Sequence, residues 1–335
     1  MRDVAALAGV SIKTVSRVVN GEPGVSPDLM RRVEVAAQQL GFHPNLTASS
    51  LRRTDQRTRT MGLLVEDVAN PFSSALQRAI SDAAVGRGVA VLATSLDEDP
   101  GLERAMVRAM VLRRVDGLVI MPAGSDHGYL RTEIEAGLAV VFLDRPPGFL
   151  DADTVLTANR EGARLGVGHL LGQGHRRIAF LGDLEGITTA RDRRLGYLDA
   201  MRSSGTSVPD GLVRMGLHTS AMAQEAVTEL LALPPAVAPT AIFASQNLLT
   251  VGAIRALRRL GLQHRVALIG FDDIELADEL EPAITVVAQD PLRLGGEAAD
   301  LMFARLDGYR GPSQHRVVPT KLIARGSGEI PPTVT

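Results

Sequence analysis

The sequence predicts two parts of different build: three short helices over residues 1–44 and, from about residue 59, an α/β core of two Rossmann-like parallel sheets. Three observations predict this. The chain has 335 residues, too many for one small core and about right for a compact body with an added module. From Met61 onward, continuous apolar runs alternate with helical patterns, as expected for parallel strands covered on both faces by crossover helices. Charge is also unevenly divided. The first 60 residues carry nine basic side chains (Arg2, Lys13, Arg17, Arg31, Arg32, Arg52, Arg53, Arg57, Arg59) against five acidic ones (Asp3, Glu22, Asp28, Glu34, Asp55). The rest carries 27 basic and 33 acidic residues, so the formal net charge of -2 hides a basic arm on an acidic body.

Local signals place the helices of the arm. Asp3 to Ala8 reads as a helix stopped by Gly9, a residue suited to a left-handed terminus. Ser11 N-caps a second helix through Asn20. Ser26-Pro27-Asp28 supplies a cap, a proline in the first turn and an early acid for a third helix that ends at Gly41. Val4, Leu7, Val10, Val15, Val18, Val19, Leu29, Val33, Ala36 and Leu40 are expected to close a miniature core. Residues 45–58, polar and rich in arginine, read as a linker.

In the body, strand-like runs occupy 61–66, 89–94, 117–121, 138–144, 177–183, 240–245 and 266–272. Helical stretches between them include Ser73 to Gly86, Leu102 to Arg113, Asn159 to Leu171 and Leu248 to Leu260. Some 275 residues of this pattern exceed one sheet, so two lobes are expected.

Composition excludes several functions. With Cys 0 there is neither a disulfide staple nor a thiol nucleophile, and Trp 0 with 3% aromatics argues against a base-stacking platform. The N-terminus shows no signal-peptide pattern and no apolar run is long enough for a bilayer, so a cytoplasmic protein without membrane contact is expected. Gly166-x-Gly168-x-x-x-Gly172 imitates a dinucleotide fingerprint with one residue too many and inside a helical pattern. The seven histidines show no metal-ligand spacing; His175, at a helix-to-strand turn, reads as structural, and Asp97-Glu98-Asp99-Pro100 as a solvated loop. Neither an enzyme nor a metal or other cofactor is expected.

On the second helix, Val15, Val18 and Val19 share one face, and Lys13, Ser16 and Arg17 the other. Joined to its predecessor by a glycine-containing turn, such a helix reads as the second member of a helix-turn-helix, offering long donors to base edges. Spacing alone leaves a solvated face on a small bundle equally open.

The run DVAxxAGVSxxTVSRVVN (residues 3–20), followed by Val25-Ser26, GFHPN (41–45) and ASSLR (48–52), resembles the lactose repressor / galactose repressor (LacI/GalR) family of bacterial transcriptional regulators. The resemblance implies that Ile12, Lys13 and Arg17 read bases, and that Ser11, Thr14, Ser16, Asn20 and Ser26 contact phosphates. It implies a hinge helix within 45–58 that docks in the minor groove, with Leu51 as wedge, Ala48 beside it, and Asn45 and Ser49 on the backbone. Such hinge helices work in pairs, so a homodimer, or a tetramer built from dimers, on a pseudo-palindromic double-stranded operator is expected. Family members carry residues before DVA, including a Thr that caps the first helix; here the chain begins Met1-Arg2-Asp3, and that cap is expected to be missing.

The resemblance continues more loosely through Asn70-Pro71-Phe72, Asp144-Arg145, Gly174 to Ile178, Arg193-x-x-Gly196-Tyr197, Gly270 to Asp273 and Gln289-Asp290-Pro291. It implies a periplasmic-binding-protein-like core over 59–335. The N-lobe would hold about 59–158 and 288–317, the C-lobe about 159–287 and 318–330, with a small-molecule effector in the cleft. By position, Asn70, Phe72, Ser73, Asp144, Arg193, Gln246 and Asp272 would bind that effector, although Arg193 and Asp272 also suit an interlobe ion pair. An arginine fork converging with carboxylates suits a polyhydroxylated, sugar-like ligand. Two departures broaden the ligand class: the family's Asn-Asp pair reads Gln246-Asn247, and its aromatic after Phe72 reads Ser73. The function expected is that of a ligand-responsive, sequence-specific DNA-binding repressor at work on the bacterial nucleoid. A solute-binding protein of the same body fold is the alternative; it should have a secretion signal and lack the basic arm.

Overall fold

The computed structural model describes residues 1–19, 22–42, 57–208 and 211–332. They form two compact units, Met1–Thr60 and Met61–Thr335.

The first unit contains α1 (Arg2–Ala8), α2 (Ile12–Val19) and α3 (Pro27–Gln39). No side chain caps α1 at Met1, and Gly9 ends it at φ 62°, a conformation that costs glycine little. The turn is pinned from α3, where Arg32 donates to the Ala8 carbonyl at 2.7 Å. Ser26 accepts from the Leu29 amide at the start of α3 and Pro27 follows it. Val4, Ala5, Ala8, Val15, Val33 and Ala36 close the core, with Val10, Val18 and Val19 packed against them. Two residues assigned to that core from sequence are exposed, Leu7 at 52% and Leu40 at 47%, and a third, Leu29, is half-buried and not among its members. The inward face of α1 centres on Val4, Ala5 and Ala8, and Leu7 sits about 100° round the helix from that centre; Leu40 lies beyond the last turn of α3.

The second unit opens with the N-lobe elements: β1 (Thr60–Val65), α4 (Pro71–Val85), β2 (Ala90–Ser95), α5 (Pro100–Leu112), β3 (Gly117–Ile120), α6 (Arg131–Glu135), β4 (Ala139–Leu143) and β5 (Asp153–Thr157). The C-lobe elements follow: α7 (Asn159–Gly172), β6 (Ile178–Leu181), α8 (Thr188–Ser203), β7 (Val213–Arg214), α9 (Ser220–Leu231), β8 (Ala241–Ala244), α10 (Asn247–Leu260), β9 (Ala267–Phe271) and β10 (Thr285–Ala288). The chain then returns to the N-lobe. There α11 (Pro291–Leu306) buries Leu294 and Ala298 against Leu76 and Ile80 of α4. β11 (His315–Val318) pairs with β5, and β12 (Lys321–Ile323) pairs with β10.

Each lobe holds one six-stranded sheet, in the order β11-β5-β4-β3-β1-β2 and β12-β10-β9-β8-β6-β7. The two orders correspond strand for strand. β12 runs antiparallel to β10. The central strands β3, β4, β6, β8 and β9 are buried along their whole length, which is why they read as unbroken apolar runs.

The chain crosses between the lobes three times: after β5, after β10 and after β11. The crossings lie side by side. The Ala158 amide donates to Val318 at 3.0 Å, Ala288 pairs with Lys321, and the Thr157 hydroxyl donates to the Gln289 side chain.

Close helix packing fixes α8, which carries Arg193. A Cβ on Gly196 would lie 2.1 Å from the Arg160 carbonyl oxygen of α7 and 2.9 Å from Ala163 Cβ. Backbone cannot yield there as a flexible side chain would. Gly196→Ala is therefore expected to destabilise the second unit by about 1–3 kcal/mol or more, read as a lowered urea midpoint at unchanged slope.

Candidate functional site

The first unit presents α2 as its candidate nucleic-acid face. Ile12 is 48% exposed and Lys13 is exposed beside it, so Ile12 is no part of the core. Ser11 accepts from the Thr14 amide at 3.1 Å and shares a hydrogen bond with its hydroxyl at 2.9 Å. The two expected phosphate ligands thus form one hydroxyl pair at the start of the helix. Ser16 is half-buried, and the exposed Ser26 caps α3. Arg17 reaches the loop after α2: Nη2 donates to the Pro23 carbonyl at 2.5 Å and Nε lies 3.5 Å from Glu22. Asn20, Asn45, Ala48, Ser49 and Leu51 lie outside the described residues.

The second unit holds a cleft between its lobes. Asn70, Phe72, Asp144, Arg193, Gln246 and Asp272 all line it. Ser73 is the exception. It is completely buried in the first turn of α4, its hydroxyl without a partner among the described residues.

Asp144 and Asp272 hold corresponding places in the two lobes. Each follows a central strand, β4 or β9, and each has a left-handed backbone, φ 67° and 73°. Each amide donates to the neighbouring strand at 2.9 Å, to Val155 and Val287 respectively. Such a conformation costs a non-glycine residue about 1–3 kcal/mol and is retained where surrounding structure enforces it. Asp144 is 5% exposed, and its burial holds the carboxyl above the usual range.

Arg193 is buried, with Nε on Asn159 Oδ1 and Nη1 on the Ser245 carbonyl, both at 2.7 Å. Its guanidinium carbon lies 3.9 Å from the centre of the Phe271 ring. Asp272 in turn accepts from Gln289 Nε2 at 2.6 Å. The partners of both side chains thus differ from the Arg193–Asp272 ion pair that was the alternative reading. Across the cleft, Asn247 Nδ2 donates to Asn70 Oδ1 at 2.8 Å, while that same oxygen caps α4. Gln246 donates to Asp183 at 2.7 Å, and His218 meets the other oxygen of Asp183 at 2.8 Å. That hydrogen bond holds the imidazole above its ordinary range.

Sequence reasoning missed part of this wall. Glu66, Asp183, Thr189, Asn247 and Gln289 also line the cleft. It also misread the 97–100 segment. Glu98 is no solvated side chain: it makes a two-pronged pair with the buried Arg145, Nη1 and Nη2 each at 2.6 Å, while Asp99 caps α5. Left-handed backbone at Asp97 and Glu98 turns the segment inward. No signal in the sequence marked Glu98, because its partner Arg145 lies 47 residues on and reaches it only through the fold.

Other motifs resolve into structure. His175 is buried between the Thr240 hydroxyl at 2.9 Å and the Ile330 carbonyl at 2.8 Å. Gly166 lets α7 approach the sheet, since a Cβ there would lie 2.7 Å from Phe243 and Val287 side chains. Among the described residues no cluster of three metal-ligating side chains occurs and no helix is long and apolar enough to cross a membrane.

Comparison with known proteins bears on this arrangement. Residues 1–45 match the family described as bacterial regulatory proteins, lacI family, and residues 167–328 match a periplasmic binding protein-like domain. The chain is 32% identical over 334 residues to the HTH-type transcriptional regulator GalR of Escherichia coli (strain K12), covering 99% of this chain and 96% of that protein. The chain belongs to the LacI family. Another LacI-family relative, the ribose operon repressor of the same strain, is 32% identical over 98% of this chain and 99% of its own length. The Lac repressor dimer bound to operator and the anti-inducer ONPF superposes with a TM-score of 0.83 at 26% identity, covering 97% of this chain and 98% of that one. A complex of the transcriptional regulator CelR with cellobiose superposes with a TM-score of 0.71 at 31% identity, covering 97% and 98%. As a LacI-family member, this chain is a ligand-responsive DNA-binding transcriptional regulator and not an enzyme.

Proposed function

We propose that this LacI-family chain is a repressor that binds a pseudo-palindromic operator as a homodimer and holds a small, hydroxyl-bearing effector in its cleft. It would act on nucleoid DNA in the cytoplasm. The observation that carries the effector reading is the convergence of Asn70, Phe72, Asp144, Arg193, Gln246 and Asp272 on one cleft. Arg193 and the two aspartates supply directional donors and acceptors, and Phe72 an apolar wall, the mixture that orients a polyol. The solved relatives include proteins bound to cellobiose and to an anti-inducer, which supports a sugar-like class. The effector shifts DNA affinity to the extent that it binds the closed and open lobe arrangements differently.

On the DNA side, the exposed Ile12 and Lys13 are the base-reading candidates. Arg17 reaches DNA by leaving Glu22 and Pro23, or else orients the loop. The test is operator selection from random duplexes, followed by fluorescence anisotropy with and without a sugar panel. Lys13→Ala should weaken the selected site by about 1–3 kcal/mol while random DNA changes less. Equal loss on both would place Lys13 on phosphates alone, and failure to select any symmetric site would overturn the reading.

A further inference from the structure

Charges around the cleft do not balance. Glu66 and Asp144 of the N-lobe and Asp183 and Asp272 of the C-lobe line it, against the guanidiniums of Arg145 and Arg193. Arg145 is already engaged by Glu98 and by the Pro122 carbonyl at 2.9 Å. Asp183 is held by Gln246 and His218, and Asp272 by Gln289. The two N-lobe carboxylates are less well served. Asp144 is 5% exposed; its Oδ2 lies 3.6 Å from Arg145 Nε, a cation it shares with Glu98, and its Oδ1 meets no donor among the described residues. Glu66 accepts one long bond, from Asn70 Nδ2 at 3.4 Å. A buried anion short of partners, as Asp144 is, is costly, and the half-buried Glu66 adds a second weakly satisfied charge to the same wall. The hydroxyls of a neutral sugar offer hydrogen bonds there but leave the excess charge in place, whereas a ligand cation removes it.

We propose that the effector carries an ammonium group seated against Glu66 and Asp144, with its hydroxyls on Arg193 and Asp272: an amino sugar or a similar amine-bearing polyol. The proposal rests on the reading of the cleft as an effector site. It has a proton signature. Burial, aided by repulsion from Glu98 and Asp183 and opposed by Arg145 and His218, pushes the Glu66 carboxyl up to about 7. An ammonium favours the ionised form, so binding near pH 7 should expel part of a proton. A sugar amine loses its proton at about 7.7, as an α-amino group does, so amine affinity should peak at about pH 7.5, between the two titrations, and fall below it as Glu66 is protonated. His218, held above its usual range by Asp183, gains its positive charge on the same descent and adds to the fall.

The experiment is isothermal titration of the full-length protein with matched pairs: glucosamine and glucose, galactosamine and galactose, mannosamine and mannose. Runs at pH 8, 7.5, 7 and 5.5 use buffers of different ionisation enthalpy. For at least one pair, the amine should bind tenfold or more tightly than its parent sugar at pH 7.5. It should release part of a proton at pH 7, where Glu66 loses more than the amine gains, and lose affinity on the order of tenfold by pH 5.5. Glu66→Gln should bring the amine-to-sugar ratio towards one; the proton release of the unmodified protein tests the same point without a variant. A neutral sugar that binds as tightly as or more tightly than its amine, or a ratio unchanged in Glu66→Gln, overturns the ammonium and leaves the effector site standing. Silence from every amine also overturns it, and if the parent sugars are silent too, the sugar-like reading falls with it.

Discussion

Arg193→Ala is expected to abolish the effector response and leave operator binding intact. The side chain is 5% exposed and fixed at three points: Asn159, the Ser245 carbonyl and the Phe271 ring. A planar group held this way meets a ligand with little ordering entropy left to lose. Truncation removes the ligand contact and also leaves the Ser245 carbonyl and Asn159 short of a donor. Truncating one member of a buried charged contact costs about 2–5 kcal/mol, or roughly 30- to several-thousand-fold in affinity. Arg193→Lys keeps the charge but loses the fork, and should recover little of this. Calorimetric titration reads the affinity, and anisotropy on operator DNA supplies the control, since α2 belongs to a separate compact unit. Effector affinity retained in Arg193→Ala would place the ligand elsewhere.

The second large effect is on stability. Arg145 and Glu98 are paired with side chains only 10% and 9% exposed, and Arg145 Nε lies 3.6 Å from Asp144. Arg145→Met would leave two buried carboxylates without their cation, and breaking a buried pair in this way costs about 3–5 kcal/mol. Adding Glu98→Gln should recover a large part of that loss, because the second change removes one of the stranded charges. Urea unfolding of the four proteins in the cycle gives the coupling directly. Single losses that merely add would mean that the pair contributes nothing as a pair.

How far sequence reaches differs by element. Strands buried on both faces, such as β3, β4 and β9, stand out as apolar runs because nothing along them meets water. β11 does not, since its four residues alternate between exposed and covered, and neither do β7, of two half-buried residues, nor β12, of three. In the cleft, resemblance carried Asp144, Arg193 and Asp272, whose motifs are distinctive. Glu66 and Asp183 escaped because each follows a strand as an ordinary polar residue, and their importance arises from the lobe that faces them. Ser73 is not on the cleft wall because the first turn of α4 buries it completely, 100° round the helix from Phe72. Glu98 failed because its acidic neighbours resemble a solvated run until the chain turns it towards Arg145.

The three adjacent crossings restrict what the second unit can do. Three short connections held side by side by their own hydrogen bonds favour rotation about that row over twist or slide, as a door hinge does. Gln289 sits in that row, with one end on Thr157 and the other on Asp272. A ligand that claims Asp272 therefore competes for a bond rooted in the pivot itself. Closing about that row would break or keep this bond as a unit, so dose should change how many molecules are shut, and not how far each one swings.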